Sequence, residues 1–247
     1  MLSLLNERFG TTEEDFVSAE LELTPAGPAR YVGLDRGFVG GYGHDDRVCS
    51  FTAVRALIDA DDAENTRIAI CFDKEEVGSF GNTGAQGRFL HRVIEESIRA
   101  AGAEVRGIDV STALERSKVL SADVAAAIDP EWPDVHDRRN AARAGHGVVL
   151  KKFTGVRGKS GASDASAEYV GEIRRLFNAA GVPWQSAEMG KVDEGGGGTV
   201  AKFIANLGAE VLDVGPPVLS MHSPFELIHR GDVYAAYRAY RAFSKKA

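Results

Sequence analysis

The chain has 247 residues, with 36 acidic and 29 basic side chains and a formal net charge of −7. A hydrophobic fraction of 44% supports a sizeable core and excludes disorder, while the acidic balance leaves no basic stripe for nucleic-acid phosphates. No apolar run approaches the ~20 residues that span a bilayer, and the two cysteines, Cys49 and Cys71, are too few for a disulfide scaffold and suit a reducing cytosol.

At roughly 150 residues per domain, this is one large domain or one and a half. Residues 2–8 form a short amphipathic turn or two, and the amino terminus carries no secretory pattern, so a cytoplasmic location is expected. Phe16 to Leu23 alternates apolar and polar, the period of a half-buried strand. Residues 31–42 are Gly-rich and aromatic, as in a strand leading into a site loop. Val48 to Ile58 predicts a helix with Val48, Phe51, Val54, Ala56 and Leu57 along one face. The continuous run Ile68-Ala69-Ile70-Cys71-Phe72 predicts a buried parallel strand. Arg88 to Ala101 predicts a helix ended by Gly102. Val119 to Ala127 predicts a strand, or a strand entering a helix. Pro130 and Pro133 mark a loop. Val148 to Phe153 predicts a strand, and Ser166 to Ala180 a helix closed by Gly181 and Pro183. Thr199 caps a helix to Leu207, Val211 to Val214 is a strand, and Asp232 caps a last helix with Val233, Tyr237, Tyr240 and Phe243 on one face. Strands alternating with helices imply a mainly parallel sheet covered on both faces.

In such folds ligands bind where loops leave the carboxyl ends of strands. Four segments place acids or a histidine there: Gly43–Arg47, Asp73–Ser79, Ser121–Asp123 and Met221–Pro224. Adjacent carboxylates such as Glu75-Glu76 are most often solvated surface. At a strand end, however, one can bind a metal while the other takes a proton from a metal-bound water. Asp45-Asp46 reads equally as a helix N-cap. His222 alone is weak. Two acidic pairs, Asp123 and His222 at one sheet edge form the donor set zinc prefers. The run Gly195–Gly198 lacks the Gly-Lys-Ser/Thr ending of a phosphate loop and fits a tight loop near a site. Gly155–Gly161 contains Gly-Lys-Ser without the spacing of such a loop. Cys49 reads as a buried structural thiol.

The segments Gly43–Phe51 (GHDDRVCSF), Asp73–Ser79 (DKEEVGS), Leu120–Asp123 (LSAD), 158–166 (GKSGASDAS) and Val218–Pro224 (VLSMHSP) resemble, in order, the M18 family of metallopeptidases, the aspartyl aminopeptidases. The resemblance covers nearly the whole chain. It implies a three-layer α/β sandwich with a mainly parallel central sheet flanked by helices. It also implies a dinuclear zinc aminopeptidase that removes amino-terminal residues, typically acidic ones, from peptides. By motif, Asp45 would bridge the metals, with a cis Asp45–Asp46 peptide. Glu76 and His222 would hold one zinc and Asp123 the other. Glu75 would be the general base acting on the metal-bridging water. Lys151 or Lys152, with Lys152 preferred, would help hold an acidic substrate side chain.

Members of the family are longer, with an earlier His-x-Asp motif and an inserted β-rich domain used in oligomerisation. Residues 1–40 are then expected to be the end of that insert and the return to the catalytic domain, and residues 41–247 its C-terminal part. The fold is expected to be incomplete at its N-terminus. One zinc site would be complete, and the other would lack its histidine. The expected partners are a peptide substrate and further copies of the chain, with no nucleic acid and no membrane. The alternative is a catalytically inactive remnant, or a non-catalytic subunit associating with a full-length homologue. Glycine makes up 28 residues, about 11% of the chain against an average near 7%, and many of them (40, 41, 43, 78, 81, 84, 87 and 195–198) flank the expected site as loop hinges.

Overall fold

The computed structural model describes residues 1–61, 64–158 and 160–246. Lys159 of the Gly-Lys-Ser segment lies outside the described residues. The helices are α1 (Leu2–Phe9), α2 (His44–Ile58), α3 (Phe89–Ala100), α4 (Gly107–Glu115), α5 (Ala167–Ala179), α6 (Ala201–Ala205) and α7 (Arg230–Lys246). The strands are β1 (Arg30–Val32), β2 (Phe38–Gly41), β3 (Lys118–Ser121), β4 (Ala125–Ala126), β5 (Val148–Lys151), β6 (Phe153–Val156), β7 (Ser160–Asp164), β8 (Trp184–Ser186), β9 (Glu210–Gly215), β10 (Pro217–Leu219) and β11 (Glu226–His229).

Period-2 alternation along β5 and β9 builds the layers. Val148, Leu150, Leu212 and Val214 pack with Ala56 of α2, Tyr169, Ile173 and Phe177 of α5, and Ala236, Ala239 and Tyr240 of α7. Val211 faces the other way, onto Ala201 and Ile204 of α6. Helices therefore cover both faces. Full burial of side chains such as Phe177, Ile173 and Leu212 contributes about 1.5–3 kcal/mol each. Tyr240 Oη donates to the Val214 carbonyl at 2.8 Å and Tyr169 Oη to the Val119 carbonyl at 3.0 Å, so both hydroxyls are satisfied.

The sheets are mixed rather than mainly parallel. One runs β1-β2-β11-β10-β4, a second β3-β9-β5-β8, and β6-β7 form a separate hairpin. Among the described strands, β10/β4, β3/β9 and β5/β8 pair in parallel. The β1/β2, β2/β11, β10/β11, β5/β9 and β6/β7 pairs are antiparallel. Strands β9 and β10 are separated by Pro216 alone and link the two larger sheets, as do β3 and β4 beside them. Residue 40 lies inside β2, which pairs with β11.

Several expected elements hold. Helix α5 starts after Ser166, whose hydroxyl accepts the Tyr169 amide at 3.2 Å. Gly102, at φ 83°, follows α3. The helix expected from Thr199 to Leu207 is shorter: α6 runs Ala201–Ala205 with Val200 at its N-cap, while Thr199 Oγ1 accepts the Ala201 amide at 3.2 Å.

Others differ. Phe16–Leu23 is not a strand: Thr12 binds the Asp15 carboxylate through its amide and hydroxyl, and Glu14–Val17 closes as a 3₁₀ turn. Val17, Leu21 and Leu23 are exposed, with no neighbouring strand among the described residues. Arg67–Phe72 forms no ladder among the described residues, and Cys71 is exposed; Phe72 packs against the α6–β9 cluster instead. Val119–Ala127 is two short strands without a helix, and Val148–Phe153 divides at Lys152 into β5 and β6. Helix α2 buries Val48, Cys49, Thr52 and Ala56, leaving Phe51 exposed: the buried row runs at i, i+4 and i+8, and Phe51 falls off it. Asp232 is not a cap. Its carboxylate lies within α7 and accepts the Gly145 and Gly147 amides at 2.6 and 2.7 Å, tying the loop before β5 to the helix.

Candidate metal centre

The site begins where β2 gives way to α2. Gly43 takes a left-handed φ of 73°, and Asp45 (φ −82°, ψ 108°) and Asp46 (φ −123°, ψ 44°) depart from helical geometry across a cis peptide bond. The Asp46 carboxylate takes hydrogen bonds from the amide and thiol of Cys49, which retains part of the capping role, while its buried Oδ1 has no partner.

The second contribution is the Glu75–Val77 turn, flanked by Lys74 and Gly78 in left-handed conformations. The Ser79 amide closes it on the Lys74 carbonyl at 2.7 Å. Gly84 backs this loop so closely that a Cβ would lie 2.4 Å from the Ser79 carbonyl oxygen. The third is the turn after β10, in which Ser220 (φ 57°) and His222 (φ 65°) are both left-handed. The fourth is the break between β3 and β4, which presents Asp123.

These four loops converge. His222 Nε2 lies 2.9 Å from Asp45 Oδ2 and 3.1 Å from Glu76 Oε1. Asp45, Glu76 and His222 place one donor atom each within 4.8 Å of one another, and so do Asp45, Asp46 and Asp123. Asp45 belongs to both groups, the position expected of a bridging carboxylate. Donors about 2.0–2.2 Å from one tetrahedral zinc lie roughly 3.3–3.6 Å apart, so the two His222 contacts are within a few tenths of an ångström of that spacing.

The electrostatics fit a divalent cation. Burial, and then the neighbouring Glu76 carboxylate, push the Asp45 carboxyl up to about 7. Burial pushes Asp46 up to about 8 despite its bonds to Cys49. Asp123 is driven well above the carboxylate range by burial, against the opposing pull of Lys151. Carboxylates crowded in this way are costly to ionise together. Two positive charges among them reverse that cost, and the free Asp46 oxygen needs a partner. Carboxylates with one imidazole are ligands zinc accepts.

Glu75 is half-buried beside this cluster. Burial, then Glu76 and Asp213, hold its carboxyl above the usual range, against the pull of His222 and Lys151. Lys152 is not drawn in: it is exposed and ion-paired with Asp164 at the far end of the β6–β7 hairpin. Its neighbour Lys151 is fully buried. Lys151 Nζ donates to the Asp123 and Val124 carbonyls at 3.1 and 2.8 Å and sits 3.0 Å from Asp213 Oδ1. Burial works against the ammonium, but Asp213 and Asp123 outweigh it and raise its pKa. The Gly195–Gly198 loop packs on the β6 backbone, with Gly155 N donating to Gly197 O at 2.9 Å. It brings buried Thr199 to Asp213. Cys49 is buried, and burial pushes its thiol up, as a structural thiol requires.

Two groups went unread in the sequence: the Lys151–Asp213 pair and Glu226. A lone Asp inside an apolar strand and a Lys in the strand paired with it were the available signal for the first. Glu226 is buried and accepts the amides of both Asp45 and His222.

Fold and site together define an α/β protein with a cluster of carboxylates and one imidazole at its loop ends that could hold a metal ion. The family model described as aminopeptidase I zinc metalloprotease (M18) matches residues 1–244, and the chain belongs to that family. It is 48% identical over 246 residues to a probable M18 family aminopeptidase 1 of Thermotoga maritima, covering 100% of this chain and 54% of that one. The crystal structure of an M18 family aminopeptidase from Thermotoga maritima aligns with a TM-score of 0.94 at 49% identity, over 100% of this chain and 54% of the other. Aminopeptidase I from Clostridium acetobutylicum aligns at 0.91 and 46%, over 98% and 52%. The S. cerevisiae mApe1 dodecamer aligns at 0.73 and 25%, over 89% and 48%. The chain thus spans about half the length of the curated relatives it matches.

Proposed function

We propose that the chain is the C-terminal part of a zinc aminopeptidase, with residues 41–247 in the catalytic domain and residues 1–40 returning to it from an inserted domain. The observation carrying this reading is the convergence of Asp45, Glu76 and His222 from three loops onto one point. Asp45 serves both metal positions, Glu76 and His222 complete one, and Asp123 belongs to the other with Asp46 beside it. The ions supply Lewis acidity toward the scissile carbonyl and lower the pKa of water. Glu75 is the general base: it accepts the proton of the attacking water and returns it to the leaving amine. Its raised pKa suits that role, since a base works best near the operating pH. The substrate is a peptide with an acidic amino-terminal residue, and Lys152, once released from Asp164, is the side chain proposed to meet it. The working form is a homo-oligomer, as in the yeast relative, in the cytoplasm.

The test is zinc content together with release of amino-terminal Asp or Glu from short peptides. Glu75→Gln is expected to bind zinc as the parent does and to lose about 10²–10⁴-fold in rate. Equal rates in the two proteins remove Glu75 from the role of base. A second reading, a non-catalytic remnant or partner of a full-length homologue, is favoured by one observation: the Asp45–Asp46–Asp123 group contains no imidazole. It predicts at most one zinc per chain, no hydrolysis, and a stoichiometric complex with the longer homologue.

A further inference from the structure

Asp45 and His222 are 177 residues apart in sequence, yet their side chains meet at 2.9 Å. Neither sits in a regular helix or strand, so their own elements do not hold them. Both of their backbone amides donate to the same group: Asp45 N to Glu226 Oε2 at 3.0 Å and His222 N to Glu226 Oε1 at 2.8 Å. Glu226 is 2% exposed. It begins β11, opposite Gly41 at the end of β2, so its backbone is fixed by the sheet while each carboxylate oxygen takes one amide. The amide of His222 needs such an acceptor, since a histidine at φ 65° is in the left-handed region that residues other than glycine seldom adopt.

We propose that Glu226 is a positioning residue that locks Asp45 and His222 into one rigid unit and thereby sets the affinity of the metal centre. It touches no reacting atom. A carboxylate supporting two ligands through their amides does for backbone what an outer acceptor does for a ligating imidazole. Its two oxygens match two donors. A glutamine at this position offers one acceptor and one donor, so one amide would face an N–H group. An aspartate keeps the charge but is one methylene shorter and cannot span both amides from the same backbone position.

The inference rests on the proposed metal centre, and the experiment separates the two. Zinc affinity is measured by chelator competition for the parent, Glu226→Gln and Glu226→Asp, with circular dichroism confirming the fold of each metal-free protein. Both variants are expected to bind zinc about 10–100-fold more weakly than the parent. Parent-like affinity in either variant overturns the proposal; in Glu226→Asp it would show that charge alone suffices. Should the variants not fold, hydrogen exchange in the metal-free parent decides. The Asp45 and His222 amides are expected to be strongly protected, and exchange as fast as in exposed loops overturns the role of Glu226. A parent that binds no zinc while protecting both amides overturns the metal centre instead.

Discussion

Asp45 and Asp46 are the residues on which the centre turns, and their protonation links metal binding to stability. An ordinary aspartate titrates near 3.8, whereas in the folded chain burial and neighbouring acids place these carboxyls at about 7 and about 8. Between those limits the folded state holds protons that the unfolded state has released. Their contribution to stability is therefore complete below the unfolded value and is lost as pH rises through the folded values. The metal-free parent, compared with Asp45→Asn, is expected to lose melting temperature from about pH 5 to about pH 8. Zinc should act oppositely, stabilising more at the upper end, because its ligands must be deprotonated. Thermal melts with chelator or zinc check this; a metal-free parent that keeps or gains melting temperature relative to the variant as pH rises contradicts it.

At the scale of elements, the register of β3–β4 against β9–β10 decides where Asp123 stands. Gly215 lets the strands approach so closely that a Cβ there would lie 1.8 Å from the Asp123 carbonyl oxygen. The next amide, Ala125 N, donates to Pro216 O at 3.0 Å. Gly215→Ala is expected to cost about 1–3 kcal/mol in denaturant unfolding by overpacking, and to weaken zinc binding by moving Asp123; unchanged unfolding would show that the approach is loose. The same elements show what was legible in the sequence. Helix α5 was plain because its cap, apolar stripe and Gly stop agree. The β9 run was plain as well, but an apolar run does not say which neighbour it takes, so the antiparallel β5/β9 pairing was invisible. Phe16–Leu23 and Arg67–Phe72 carry strand patterns with no partner strand among the described residues. The proposed metal ligands were readable because acid pairs and a histidine lie at strand ends in family order. Glu226 was not, because it acts through amides of distant residues. Lys152 was preferred over Lys151 although adjacent strand residues face opposite ways, and it is Lys151 that points inward.

For the whole molecule, the face that α2 turns away from α7 is the main anomaly. Phe51 and Ile58 are 67% and 68% exposed, with Val54 on the same side and Ile68 exposed on the segment that forms no ladder. Phe51, Val54 and Ile58 lie three, four and seven positions apart and form one stripe of an amphipathic helix. Contiguous apolar stripes on a protein surface mark contacts with other chains or an association liability. Concentration-dependent self-association of this chain is therefore expected in sedimentation velocity. The double variant Phe51→Ser/Ile58→Ser should shift the distribution toward monomer while keeping the parent's melting temperature, since neither side chain belongs to the core cluster around Ala56. Undiminished association in the variant would place the contact elsewhere, and the exposed Leu2, Leu4 and Phe9 of α1 would be the next face to change.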